Sequence, residues 1–303
     1  SPVLVALITV IAGATWGAPG AFVRARWTNA LKDQPKGLTT AFALESAIDE
    51  FVYILGPVLS TVLGTLFHPG VGLVLICLFL GIGGFWFFSQ SASEPAPRPK
   101  VEGQHHRSVL RNPAVIVMVL TYIAMGSMFG ANDVAVVAFA AALGVPSMSG
   151  VLLAFFSIGS LLAGLWYGSR KWTQPLWSLF AFGVVLLAIG TSTYLLAHSI
   201  PVMALVMTLT GITCAPTMTN VNTVIARIVA PERLTEGLTW VGTSLNIGLS
   251  LGSAMAGPVI DAGGARSGYF VMVGAAWVMV AIMVLGLPSL RRATTSLHPR
   301  IEE

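Results

Sequence analysis

Nine apolar stretches of about 20 to 30 residues fill most of this sequence. They lie at approximately 3–23, 38–66, 70–90, 113–142, 148–168, 174–197, 200–229, 235–260 and 267–288. Roughly 20 such residues cross the hydrocarbon of a bilayer as an α-helix, and lipid offers no partner to an exposed backbone amide. The runs lack the alternation expected of barrel strands. The expected fold is therefore all-α, a polytopic transmembrane helical bundle of nine spans. Turn residues mark the breaks at His68-Pro69-Gly70, Gly144-Val145-Pro146, Ser199-Ile200-Pro201 and Gly263-Gly264.

Composition excludes a water-facing surface: 55% of residues are hydrophobic and 9% are charged, where a soluble domain carries about 25% charged. Both cysteines, Cys77 and Cys214, sit inside apolar runs, which argues against a disulfide framework. No P-loop, dinucleotide fingerprint or nucleophile elbow is present, so no nucleotide or other cofactor is expected. His105-His106 lacks further ligands at metal-binding spacing, and no metal site is expected. No nucleic-acid partner is indicated.

Orientation follows from Lys and Arg in the loops, which favour the cytoplasmic side. Fifteen of the 16 basic residues fall in alternate loops on one face, and Arg266 alone falls on the other. That partition puts the C-terminus in the cytoplasm and Ser1 outside, in a bacterial cytoplasmic membrane. No basic residue precedes Arg24, unlike a secretory leader. Ser1 therefore reads as the cut end of a longer chain, and three further spans would give twelve.

The polar, Pro-rich stretch 91–112 reads as a flexible cytoplasmic linker between 1–90 and 113–290, with 291–303 as a cytoplasmic tail. The two sides share a pattern. Lys36-Gly37-Leu38-Thr39 opens the second span and Glu236-Gly237-Leu238-Thr239 opens the eighth. Gly56-Pro57 and Gly257-Pro258 follow at matched spacing. Tandem repeats of this kind are typical of secondary transporters.

On these features the chain resembles the major facilitator superfamily, with two six-span halves joined by a cytoplasmic loop. The resemblance makes 1–90 the last three spans of an incomplete first half and 113–290 the six-span second half. Gly56-Pro57 is similar to the family's antiporter motif, with Ser60 and Thr61 where a Gly pair would follow. Gly56, Pro57, Gly257 and Pro258 are thus candidates for gating or packing. The family's charged loop motif survives as Gly164-Leu165-Trp166-Tyr167-Gly168-Ser169-Arg170-Lys171, without its usual Asp.

Four acids lie at membrane depth: Glu45, Asp49, Glu50 and Asp133. Carboxylates there are costly to leave charged and unpaired, and they mark ion pathways and proton relays. Glu45 and Asp49 share a helical face, and Glu50 points about 100° away. All four are proton-coupling candidates, against the structural alternative of capping loop amides or pairing with basic loops. Asn132 and Asp133 follow Gly126 and Gly130, which would permit a kink or an unwound turn. Asn132, Asn220, Asn222 and Asn246 are substrate-cavity candidates, the alternative being hydrogen bonds between helices. Small residues repeat every four positions at Ser160, Gly164 and Gly168, and at Gly248, Gly252 and Ala256, a spacing that favours close packing.

The expected function is secondary active transport of a small organic solute by alternating access, coupled to protons in the direction of efflux. The partners are the solute, protons and the lipid bilayer, and the chain is not expected to be an enzyme. Two alternatives remain at this point: an intramembrane enzyme using the pair Asp49 and Asp133, or a non-transporting sensor derived from a transporter fold.

Overall fold

The computed structural model describes residues 19–31, 35–68, 70–94, 108–170, 172–230 and 233–295. Among them there is no strand. The nine α-helices among the described residues are α1 (Pro19–Ala30), α2 (Pro35–Leu66), α3 (Val71–Ser89), α4 (Pro113–Ala142), α5 (Met148–Gly168), α6 (Leu176–Ser192), α7 (Ile200–Ile228), α8 (Leu234–Gly263) and α9 (Ser267–Thr295). A short 3₁₀ turn, Thr193–Leu196, extends α6. Among the described residues, six segments are long and apolar enough to cross a membrane: α3, α4, α5, α6 with its 3₁₀ turn, α7 and α9. They coincide with six of the nine expected spans. Of the other expected spans, 3–23 lies almost wholly outside the described residues. α8 has the length, but Thr239, Thr243, Ser244, Asn246, Ser250 and Ser253 dilute its hydrophobicity. α1 covers Arg24 and Arg26, which the sequence reading placed in a loop, and α9 runs seven residues beyond the expected end of its span.

Local chemistry explains several ends. Asn112 caps α4 by accepting the Ala114 amide at 3.0 Å, and Pro113 occupies the first turn, where its missing N–H costs nothing. At the other end Gly144 takes φ +77°. Its amide donates to the Ala141 carbonyl and the Val145 amide to the Ala140 carbonyl, each at 3.0 Å. This is the paired bond pattern that closes a helix on a left-handed residue. Gly126 and Gly130 do not break α4, which is continuous from Pro113 to Ala142.

The chain divides into two compact units, Ser1–Asp49 with Leu73–Gln104, and Glu50–Gly72 with His105–Glu303; two of the boundaries fall within α2 and the first turn of α3. In the smaller unit, Arg26 donates to the Phe87 carbonyl at 2.7 Å and to Ser93 Oγ at 3.3 Å. Its guanidinium also lies 4.0 Å from the Phe87 ring centre. α1 is thereby tied to the end of α3. No described residue of α3 is buried, as suits an apolar helix whose solvent is lipid.

In the larger unit α4 to α9 exchange partners by threes. α4 packs between α8 and α9, α7 packs between α5 and α6, and α6 meets α9. Each trio thus lends its first helix to the other two of the opposite trio, an arrangement suited to paired three-helix repeats. The core is rich in methionine, with Met118, Met125, Met128, Met203, Met207, Met272 and Met279 fully buried. Thioether chains fill the irregular gaps between helices.

Glycine sets the two closest approaches. A Cβ on Gly126 would overlap the Leu245 carbonyl oxygen, and one on Gly248 would overlap the Ile123 carbonyl oxygen. The α5–α7 contact repeats this reciprocity: Gly159 lies on the Thr208 carbonyl and Gly211 on the Phe156 carbonyl. Lipid tails are as apolar as leucine, so backbone approach through small residues supplies the association. Of the stripe Gly248, Gly252 and Ala256, the two glycines lie at the α4–α8 contact and Ala256 is buried. In α5, by contrast, Gly159 makes the close approach, whereas a Cβ at Gly168 would meet nothing within 4 Å.

Candidate functional site

Two-thirds of the way along α4 an amide and a carboxylate stand side by side. Asn132 is buried and Asp133 is exposed, as neighbouring positions about 100° apart on a helix can be. Asn132 Nδ2 lies 3.5 Å from Asp133 Oδ1, a long hydrogen bond, while Asn132 Oδ1 is buried without a partner. A buried amide oxygen in that condition forfeits a hydrogen bond it would have had in water. One turn earlier, Phe129 packs edge to face on Phe156 of α5, with ring centres 6.0 Å apart. Asp133 therefore continues the α4 face that meets α5. No Lys or Arg pairs with it among the described residues, where the one ion pair joins Arg233 to Glu236. The pair presents an acceptor without a donor beside a carboxylate without a cation, and can receive a proton or a hydrogen-bonding solute.

Two polar layers bracket this pair. At the linker-side end, the Tyr167 hydroxyl donates to Asn220 Oδ1 at 2.7 Å, joining α5 to α7. The Trp172 ring stacks on Tyr167 at 4.5 Å and its indole N–H donates to the Tyr167 carbonyl at 3.0 Å. Arg170 lies 4.6 Å from the Trp166 ring centre. The loop that lacks the expected Asp is thus held by aromatic stacking. Near it, Glu236 Oε1 accepts the Val109 amide at 3.2 Å and the Ser108 hydroxyl at 3.3 Å, while Oε2 pairs with Arg233. At the opposite end, Phe139, Tyr194 and Tyr269 form a buried aromatic cluster, with ring centres 6.1 and 5.8 Å apart. The Tyr269 hydroxyl is buried without a partner.

The structure brings together only some of the residues picked out from sequence. Asn132 and Asp133 touch, and Asn220 is engaged by Tyr167. Asn222 and Asn246 are exposed on α7 and α8. Glu45, Asp49 and Glu50 follow one another along the backbone of α2, and their side chains, like that of Pro57, lie outside the described residues. Among the described residues a Cβ at Gly56 or Gly257 would meet nothing within 4 Å, so neither glycine makes a close helix contact with them, and Pro258 is exposed inside α8. Sequence reasoning named Tyr167 and Glu236 only as members of motifs, without a contact for either, and missed Tyr269. A tyrosine in an apolar helix gives no periodic signal, and the partner of Glu236 lies 127 residues away.

No curated protein matches the chain. The family model described as Major Facilitator Superfamily matches residues 132–302, more than half of the chain, from the Asn132–Asp133 pair through α9. The chain belongs to the Major Facilitator Superfamily, a family of membrane transporters.

Proposed function

We propose that this protein is a secondary active transporter that exports a small organic solute from a bacterial cell by alternating access in exchange for protons. The observation that carries the reading is the Asn132–Asp133 pair: a carboxylate without a cationic partner among the described residues, beside a buried amide oxygen without a donor. In a membrane helix such groups are retained for ion or substrate handling. Asp133 is assigned the proton, and Asn132, Asn222 and Asn246 the solute. Asp49 and Glu50 join Asp133 in coupling, with Glu45 assisting near the cytoplasmic mouth. Gly56-Pro57 and Gly257-Pro258 are assigned to bending during the transport cycle.

In this reading 1–90 supplies three spans of the first half-bundle, 91–112 connects the halves, 113–290 is the second half-bundle and 291–303 is the tail. The basic end faces the cytoplasm, following the bias of Lys and Arg. The test is flux of a lipophilic cationic dye in proteoliposomes with an imposed pH gradient, comparing the parent chain with Asp133→Asn. Dye movement driven by the gradient in the parent, and insensitive to it in the variant, supports the assignment. Unchanged gradient dependence in the variant removes Asp133 from coupling. If no dye or other small organic solute moves under any ion gradient, the transport reading itself fails.

A further inference from the structure

We propose that a cavity at the basic end of α9 seats an anionic membrane phospholipid. The headgroup phosphate would lie on the Arg291 and Arg292 guanidinium groups and an acyl chain along Val284 and Leu287. The cavity is an open groove of about 480 Å³, lined among the described residues by Val284, Leu287, Pro288, Arg291, Arg292 and Thr295, all on α9. Its chemistry is graded along the helix, apolar for one turn and doubly cationic in the next. That grading matches a lipid at the boundary between hydrocarbon and headgroups.

Three observations favour a lipid over a soluble anion. First, the cavity lies on an outward side of α9, where Val284 and Leu285 are among the most exposed apolar residues of the helix. An occupant therefore arrives laterally, from the bilayer. Second, neither arginine pairs with a carboxylate among the described residues, and two adjacent guanidinium groups suit a phosphate. Third, Arg291 is held in place: its guanidinium carbon lies 4.9 Å from the centre of the Trp177 ring. Trp177 stands in the first turn of α6, which has no side-chain cap. The positive end of that helix adds to the local field. The Thr295 hydroxyl already donates to the Arg291 carbonyl at 2.7 Å, which leaves the headgroup to the two guanidinium groups. Basic pockets at the ends of membrane helices bind anionic lipids through this combination of charge and apolar wall.

The experiment is native mass spectrometry of the full chain released from detergent in the presence of phosphatidylglycerol or phosphatidylcholine. The parent is compared with the double variants Arg291→Gln/Arg292→Gln and Arg291→Lys/Arg292→Lys. The parent is expected to retain phosphatidylglycerol over phosphatidylcholine. The glutamine variant should lose that retention by about tenfold or more, as two basic contacts imply, and the lysine variant should keep most of it. A glutamine variant that holds phosphatidylglycerol as the parent does would overturn the proposal, as would equal retention of the two lipids by the parent. Displacement of phosphatidylglycerol by millimolar inorganic phosphate would make the site one for a soluble anion and would equally overturn it. Unchanged thermal unfolding of the glutamine variant separates loss of lipid from loss of fold.

Discussion

The hydroxyl of Tyr167 donates to Asn220 Oδ1 at 2.7 Å, between two helices whose backbones are drawn together at Gly159 and Gly211. Trp172 stacks on the same tyrosine and bonds its carbonyl. Tyr167→Phe leaves the Asn220 oxygen buried without a donor. The expected cost is about 1 kcal/mol, in the range of interhelical hydrogen bonds in membranes. Unfolding in a detergent titration measures it. Asn222→Ala, at an exposed position on the same helix, should leave the midpoint where it is.

The reciprocal glycine contacts predict a sharp positional contrast. Gly248→Ala and Gly211→Ala each place a Cβ on a backbone carbonyl that cannot rotate away. Each should destabilise by about 1–3 kcal/mol or more, as overpacking does. Gly257→Ala, with nothing within 4 Å of the added carbon, should fold as the parent does. Thermal unfolding of the three variants checks the order, and equal loss in all three would contradict the packing described for α4–α8 and α5–α7.

Asp133 is exposed on its helix, and its side-chain contact with Asn132 is long. Asp133→Asn should therefore shift stability by no more than about 0.5 kcal/mol. A large loss of stability would show that the carboxylate holds the bundle together, and would weaken its assignment to protons. Unfolding of the variant measured beside its flux separates the two roles.

Glu236 holds the segment that leads into α4 to the start of α8 through the Val109 amide and the Ser108 hydroxyl. Glu236→Ala should loosen this junction by about 1–2 kcal/mol, the scale of hydrogen bonds to a charged group. Hydrogen exchange should then rise at the Val109 amide, with little change in the α4–α8 contact around Gly126 and Gly248. Unaltered exchange at Val109 would mean that the carboxylate contributes nothing to the junction.

Much of the helix plan was legible because lipid imposes a simple rule on sequence. α4 and α5 begin and end where the apolar runs and the Gly144-Val145-Pro146 break place them. α6, α7 and α8 agree to within a few residues. The site was legible only in kind. Asp133 stands out as the one carboxylate of its stretch, but sequence could not tell that Asn132 turns inward beside it and Asn222 outward. The glycines before it suggested a broken helix; their neighbours on α8 show that they serve close packing. Tyr167 and Asn220 are 53 residues apart, too far for any local pattern to pair them.

Composition and hydrophobic run length alone determined that this chain lives in lipid as a set of helices, because an unpaired backbone group in hydrocarbon is too costly for other structures. Prolines and glycines marked most of the breaks between helices, and the acids within apolar runs stood out as candidates for a role in transport. Only the tertiary structure decided which helices touch: that α4 lies between α8 and α9, and α7 between α5 and α6. Every membrane helix is apolar on most of its surface, so hydrophobicity cannot choose among partners. Close approach at Gly126, Gly248, Gly159 and Gly211, and hydrogen bonds such as Tyr167 to Asn220, make that choice in three dimensions.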